Sequence, residues 1–366
     1  MLIMLLSAAA LYGYRLFKPL ARVGEGPGHK VSVIVPAKQE ADTLRASLAS
    51  LVELKHEDKE VIVVCGRSTD GTEEVAGEFA GAVTVMREPE RPAGWVGKSW
   101  ACHNGYLRSS GDILLFADGD VLHSKESLDV VLANLDSEKA DLLSLWPEIV
   151  TRARSERVIF PASLFFLCAG IAATSSRPSP KGRRVDGANG QYILVRRVAY
   201  EKLGGHAAIR TEIMEDGAIG RRARAHGLGV VNADGTGYTK VMPYSKFHET
   251  WEAHERFGAG LVPSWGALSA ACVLTLAFFV GPFALLGVGL AVSSAALTAT
   301  GVLTCAAVYA MDALFARKSS RLLYFVLAPL SGIIVTAAFA TGFVRFRRGG
   351  ISWKGERYGR DGFKPL

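Results

Sequence analysis

Asp118 and Asp120, separated only by Gly119, close the apolar run ILLFA at 113–117. Two carboxylates this close repel each other, so a strand that ends on them needs a reason. One is a solvated turn, since Asp and Gly are common turn formers. The other is a divalent cation: two hard oxygen ligands at a strand end suit Mg2+ or Mn2+, which take few protein carboxylates and keep positions open for phosphate oxygens. A second acidic pair, Glu215 and Asp216, opens the helical run EIMEDGAIGRRARAHG (212–227). Acidic residues in a first helical turn complement the helix dipole. One carboxylate beside another can also have its pKa raised, which suits a general base.

Two further stretches could bear on chemistry. GWVGKSW (94–100) has too few residues between its glycines for a P-loop, and position 92 is proline. What remains is a glycine-flexible loop presenting Lys98, either as a solvated lysine or as a point charge able to hold a diphosphate near a metal. Trp95 and Trp100 imply that this loop packs on something. In GANGQYILVRR (187–197), Gly187, Asn189 and Gly190 precede a strand, where the backbone must approach a ligand or a neighbouring segment closely.

The elements that must position these residues read as α/β. VSVIVPA (31–37), EVIVVCG (60–66), AVTVMRE (82–88) and ILLFADGD are β-branched or apolar runs of the kind buried in parallel sheets. Helical spacing in ADTLRASLASLVEL (41–54) and GTEEVAGEFA (71–80) separates them. Alternating strands and helices predict a doubly wound sheet with ligands at the carboxyl ends of its strands, where Asp118 and Asp120 fall.

Composition adds a membrane. Of 366 residues, 49% are hydrophobic and 21% charged, and the mean hydropathy is +0.21. That mixture predicts a soluble part joined to a membrane part. Residues 1–17 read as a signal anchor and 158–173 as a buried or interfacial helix. Residues 266–290, 291–315 and 322–344 are each long enough to cross a hydrocarbon core of roughly 30 Å. The domain plan is therefore an anchor (1–17), a catalytic domain (31–245), an interfacial helix (246–263), three membrane segments (264–345) and a basic tail (346–366). The net charge of +7 concentrates in that tail and after the first apolar stretch, as expected for anionic lipid headgroups. No stacking aromatics or binding motif supports nucleic acid. Five cysteines without metal-site spacing read as free thiols in a reducing compartment. Three crossings would leave the basic tail outside, against the positive-inside rule. Pro329 and Gly332 would permit a broken or re-entrant last segment, so a cytosolic C-terminus is expected.

Taken together, VIVPAKQE (33–40), STDGT (68–72), GWVGKSWAC (94–102), ADGD (117–120), GANGQ (187–191), MEDGAIGRR (214–222) and WKGERY (353–358) resemble, in order, family 2 glycosyltransferases. More narrowly they look like the membrane-anchored branch related to carotenoid- and hopanoid-associated glycosyltransferases and ceramide glucosyltransferases. The resemblance covers roughly residues 31–260 and the tail. It implies a GT-A fold, a Rossmann-like mixed sheet with helices on both faces, and inverting transfer of one hexose from a nucleotide sugar to a lipid hydroxyl at the cytoplasmic membrane. By position it makes Asp118 and Asp120 the ligands of Mg2+ or Mn2+ and of the nucleotide, and Asp216 the base, with Glu215 as the fallback. It makes Pro36, Ala37 and Glu40 part of the nucleotide site, and puts Lys98 by the diphosphate.

The chain departs from that pattern at two places. The family carries paired aspartates after the second strand, one of which contacts the base; here the positions hold Cys65 and Gly66, followed by Arg67. Nucleotide preference should therefore be looser than in relatives that keep the pair, with UDP the family's default and Arg67 a substitute reader. The Q-x-x-R-W of processive synthases is also missing. HETWEAHERFGAG (248–260) stands in its place, an amphipathic helix with Trp251 on the acceptor side and His248 and Arg256 either solvated or near the diphosphate. A processive polysaccharide synthase, a polyprenyl-phosphate sugar synthase and a degenerate membrane scaffold are the alternatives.

Overall fold

β-branched runs build the centre of the molecule. The structure, a computed structural model, describes residues 2–15, 17–21, 28–152, 154–175, 187–315, 326–359 and 362–365. The basic residues Arg22, Arg317, Lys318, Arg321 and Arg360 lie outside them. The strands are β1 (Lys18–Pro19), β2 (Val31–Ala37), β3 (Lys59–Cys65), β4 (Thr84–Arg87), β5 (Ile113–Ala117), β6 (Val121–His123), β7 (Leu142–Trp146), β8 (Glu148–Ile149), β9 (Tyr192–Arg196), β10 (Val230–Asp234) and β11 (Thr239–Val241). Eight of them form one sheet in the order β1-β10-β7-β9-β5-β2-β3-β4. All pair in parallel except β9, which is antiparallel to both neighbours. A smaller sheet, β6-β11-β8, sits beside it.

Both faces of the large sheet are covered, by helices with different packing stripes. α2 (Ala41–Val52), α3 (Thr72–Gly77) and α5 (Ser127–Ser137) cover one face, where Leu44, Leu48 and Leu51 of α2 meet Val31, Val33 and Val35 of β2. Their i, i+4, i+7 spacing places the three leucines on one stripe, and all are fully buried. Truncating any one to Ala would cost roughly 2–5 kcal/mol. The alternate residues Ile34, Leu114 and Phe116 face the other side. There they pack with α4 (Gly97–Arg108), α7 (Arg197–Lys202) and α8 (Glu215–Ala225). From β2 the chain winds outward to β3 and β4, then returns to β5 on the other flank of β2. That reversal opens a crevice outside the carboxyl ends of β2 and β5, after Ala37 and Ala117.

The remaining helices are α1 (Leu2–Arg15), α6 (Arg154–Ser175), α9 (Phe247–Leu261), α10 (Trp265–Phe279), α11 (Gly281–Ala291), α12 (Ala295–Phe315) and α13 (Ala328–Arg348). Helix α6 is a member of this bundle: Phe165 is buried and stacks on Phe278 at 4.0 Å between centroids. Of the described helices only α13 is by itself long and apolar enough to cross a membrane. The segment expected at 266–290 is two helices bent by 49°. Pro282 starts the second, and proline ends a helix by removing an N–H and crowding the preceding turn. Near Pro329 the helical path is interrupted at Leu327, and the proline lies in the first turn of α13, where its missing N–H leaves nothing unsatisfied. α13 lies against α9 at backbone distance. A β-carbon at Gly258 would strike the carbonyl of Phe339, and one at Gly342 the carbonyl of Glu255.

After α13 the basic tail forms an antiparallel sheet of β12 (Ile351–Trp353), β13 (Glu356–Gly359) and β14 (Gly362–Pro365). Lys354 and Gly355, both at positive φ (46° and 73°), make the tight turn between its first two strands. This sheet packs back onto the catalytic domain.

Candidate active site

The crevice is bordered first by the loop after β2. Its geometry is fixed by the STDGT turn. Ser68 Oγ accepts from the Gln39 N–H (3.1 Å), Thr72 Oγ1 from the Glu40 N–H (2.9 Å) and Asp70 Oδ2 from the Ala41 N–H (3.0 Å). These bonds hold Gln39 at φ 51°, a left-handed conformation that residues other than glycine seldom adopt. Pro36 and Ala37 are buried strand residues whose contribution is backbone, and the Ala37 carbonyl accepts from the Gly66 N–H at 2.8 Å. Glu40 thus reaches the D-G-D turn, with one carboxylate oxygen against Gly119.

Lys98 joins the two acidic pairs. It stands in the first turn of α4, and its Nζ lies 2.7 Å from Asp118 Oδ1 and 2.8 Å from Glu215 Oε1. Burial opposes its charge, but Asp118 and Glu215 outweigh that and hold its pKa well above the usual lysine range. Burial would raise Glu215, yet Lys98 and Arg256 keep it lowered. The neighbouring Asp216 moves the other way, raised by burial and by the Glu215 charge. Asp216 Oδ2 accepts from the Gly190 N–H at 3.0 Å and Oδ1 from the Gly217 N–H at 2.7 Å. Two carboxylates side by side therefore have opposite proton affinities, the division that lets one act as base and the other stay ionised.

Gly190 is packed so closely that a β-carbon there would come 3.0 Å from Lys98 Nζ and 3.1 Å from Glu215 Oε1. Asn189 braces the same loop, its N–H donating to Ser144 Oγ at 2.7 Å. Gly187 lies at φ 156° against Gly220 of α8.

Asp120 is the uncompensated charge of the site. Burial, Asp118 and Glu40 raise its pKa to about 7. Asp120 Oδ1 and Glu40 Oε2 are buried without a hydrogen-bond partner. Orphaned carboxylate oxygens accept only, so they fit a cation. Among the described residues no group of three or more His, Cys, Asp or Glu could hold a metal ion. The unpartnered oxygens of Asp120 and Glu40, beside Asp118, would suit a divalent ion most of whose shell comes from ligand oxygens, the habit of Mg2+.

Residues that sequence reasoning missed come from the tail. The Lys354 ammonium pairs with Glu40 Oε1, and Glu356 pairs with both Lys38 and Arg91, the latter at 2.6 and 2.8 Å. Trp353 lies under the Arg256 guanidinium at 4.6 Å. Arg256 projects from α9 with its Nε unpartnered, and Tyr244, Glu215, Asp216 and Asp118 together overcome burial to raise its pKa. Trp251 and His248 are elsewhere. They line a separate cavity of about 550 Å3 between α9, the end of α13 and the tail, with Glu255 and Arg357. Arg67 is exposed at the rim.

The chain is similar to known proteins in sequence and in fold. The profile of "Glycosyl transferase family 2" fits residues 32–204, which span β2 through α7 and include Glu40, Lys98, Asp118 and Asp120. Residues 32–204 are thus similar to a family 2 glycosyltransferase domain. Two relatives named 4,4'-diaponeurosporenoate glycosyltransferase extend the likeness beyond it. That of Staphylococcus aureus (strain bovine RF122 / ET3-1) is 27% identical over 343 residues, 90% of this chain and 88% of the relative. That of Staphylococcus haemolyticus is 26% identical over 262 residues, 70% and 69%. Among solved structures, a mannosyltransferase of Pyrobaculum calidifontis in complex with GDP-Man and Mn2+ superposes with a TM-score of 0.55 at 20% identity, covering 94% of this chain and 98% of that one. The fold of this glycosyltransferase is accordingly GT-A-like, with the crevice at the reversal of strand order and the tail sheet as its outer wall.

Proposed function

We propose that the protein moves one sugar from a nucleotide sugar to an oxygen of a carotenoid-type lipid at a membrane surface, with inversion and with Asp216 as the base. One observation carries this reading. Lys98 bridges Asp118, on the donor side, to Glu215 beside Asp216, so donor and acceptor chemistry share one centre.

In this mechanism the acceptor hydroxyl lies against Asp216, whose raised proton affinity suits taking its proton. The acceptor oxygen bonds to the anomeric carbon as the bond from that carbon to the diphosphate oxygen breaks. Lys98 and Arg256 face the charge that develops on the leaving diphosphate. Asp118 and Asp120 would hold a divalent ion, which supplies Lewis-acid stabilisation of the diphosphate. No covalent enzyme intermediate is needed.

The lipid acceptor is supported by surface chemistry. Val273, Val288, Leu290, Leu303 and Leu330 lie on α10 to α13 and face outward, although they are large and apolar. Large apolar side chains exposed along several helices fit contact with lipid or another protein. The catalytic domain then stands on the cytosolic side, where nucleotide sugars are made. The relatives are named for a carboxylate acceptor. A carboxylate would arrive ionised beside Asp216 and Glu215 and would need no base, so a hydroxyl is the reading here.

The test is a transfer assay with UDP- and GDP-hexoses, Mn2+ and carotenoid-type acceptors bearing a hydroxyl or a carboxyl. A glycoside that resists mild alkali is expected. An alkali-labile ester would transfer the chemistry to a carboxylate, and a water-soluble alcohol as good as the lipid would sink the membrane reading. Asp118→Ala and Asp120→Ala should each abolish Mn2+-dependent nucleotide binding in folded protein.

A further inference from the structure

The carboxylate absent at positions 65 and 66 reappears in space from another strand. Gly66 follows β3, and a β-carbon on it would lie 3.2 Å from Glu88 Oε2. Glu88 follows β4, and its N–H donates to the Cys65 carbonyl at 2.8 Å. The ends of β3 and β4 are thus laced together, with the Glu88 side chain folded over Gly66.

The direction of a bound donor is set by what flanks the D-G-D turn. The transferred sugar must face Glu215 and Asp216, beyond Lys98 on the β9 side. The nucleoside must then run the other way, along the carboxyl ends of β2, β3 and β4. Lys38, Gly66, Arg67, Glu88 and Arg91 lie at that end. Of the acidic groups there, Glu356 is taken by Lys38 and Arg91. Glu88 has a looser contact, with Arg91 Nε 3.5 Å from its Oε1, which leaves Oε2 over Gly66. Its side chain is only 9% exposed. Burial is the main influence on this carboxyl and raises its proton affinity despite Arg91. A desolvated carboxylate of this kind gains most from a ligand that donates to it.

Building on the nucleotide-sugar reading above, we propose that Glu88 determines nucleobase specificity by accepting a hydrogen bond from a ring N–H of the donor's base. Uracil, thymine and guanine carry such an imide or lactam N–H. Cytosine and adenine present a bare ring nitrogen at the same edge, whose lone pair would oppose the carboxylate. The site therefore selects by class of base, and it does so without an acidic residue after β3.

Binding of UDP, TDP, GDP, CDP and ADP to the full-length protein in detergent with Mn2+, measured by calorimetry, tests this. UDP, TDP and GDP should bind about tenfold or more tighter than CDP and ADP, the scale expected when a buried polar group is left opposed. Glu88→Gln, whose amide can donate as well as accept, should shrink that gap to about threefold or less, with an unchanged melting temperature. Arg67→Gln tests the competing reader: a ratio lost in that variant but kept in Glu88→Gln would assign the base contact to Arg67 and overturn the proposal. A Glu88→Gln protein that discriminates like wild type, or a wild type that binds all five alike, overturns the assignment while leaving the transferase reading intact. If none of the five binds, the nucleotide-sugar reading falls and takes this one with it.

Discussion

Lys98 Nζ lies 2.7 Å from Asp118 Oδ1, so the first turn of α4 and the residue after β5 meet as a partly buried ion pair. The same ammonium reaches Glu215 on its other side. Removing it leaves two desolvated carboxylates facing each other.

Lys98→Met should therefore lower stability by about 3 kcal/mol, the usual cost of leaving buried charge uncompensated, and abolish transfer. Adding Glu215→Gln should restore much of the stability but none of the activity. A double-mutant cycle on chemical denaturation checks the coupling; additive effects would mean that the pair is not energetically joined.

Asp216→Asn should reduce turnover roughly 10²–10⁴-fold while leaving donor affinity within about twofold, since base assistance acts on the acceptor alone. The measurement is kcat beside the Kd of the nucleoside diphosphate. An equal loss in both would move Asp216 to donor binding or to architecture.

Glu356 is 3% exposed and neutralises Lys38 and Arg91 together. Glu356→Gln should weaken docking of the tail sheet by about 3 kcal/mol. Limited proteolysis near residues 349–355 should accelerate, and donor affinity should fall as Lys354 leaves Glu40. Wild-type resistance to protease in the variant would contradict this.

Acid stability should depend on His123. Burial lowers the pKa of its imidazole to about 3, and neither ring nitrogen has a partner. Between about pH 3 and 6.5 the unfolded chain binds a proton there that the folded chain does not. Its contribution is fully present above pH 6.5 and declines as pH falls, by up to about 1.4 kcal/mol per pH unit. His123→Phe should flatten the acid limb of stability against pH by close to one proton. A limb of unchanged slope would mean that His123 is protonated in the folded state.

What could be read from the residues alone was whatever strand ends and helix starts display locally. Asp118, Asp120, Lys98, Glu215 and Asp216 each sit where a strand ends or a helix begins, and the sheet gathers them. Contacts across long chain separations left no local mark. Lys354 and Glu40 are 314 residues apart, and a basic tail reads as lipid-facing until its partner is seen. Glu88 was invisible because a carboxylate was sought after β3, not across the sheet from it. The segment at 158–173 is equally apolar as a surface helix or a buried one, and the stacking of Phe165 on Phe278 shows it buried. Phe165→Asp should accordingly disrupt the bundle and serve poorly as a probe of acceptor entry.

The docked tail constrains topology by counting alone. The chain leaves the catalytic domain at the end of α9 and returns to it at Ile351, held by Lys354 on Glu40 and by Arg345 2.8 Å from Glu255. A path that starts and finishes on one side of a sheet of lipid crosses it an even number of times, zero included. Three full passes between these points are thereby forbidden, and the bend at Pro282 marks where one apolar stretch can turn back. Reporters fused to the loop at 67–70 and after Leu366 must sit in the same compartment.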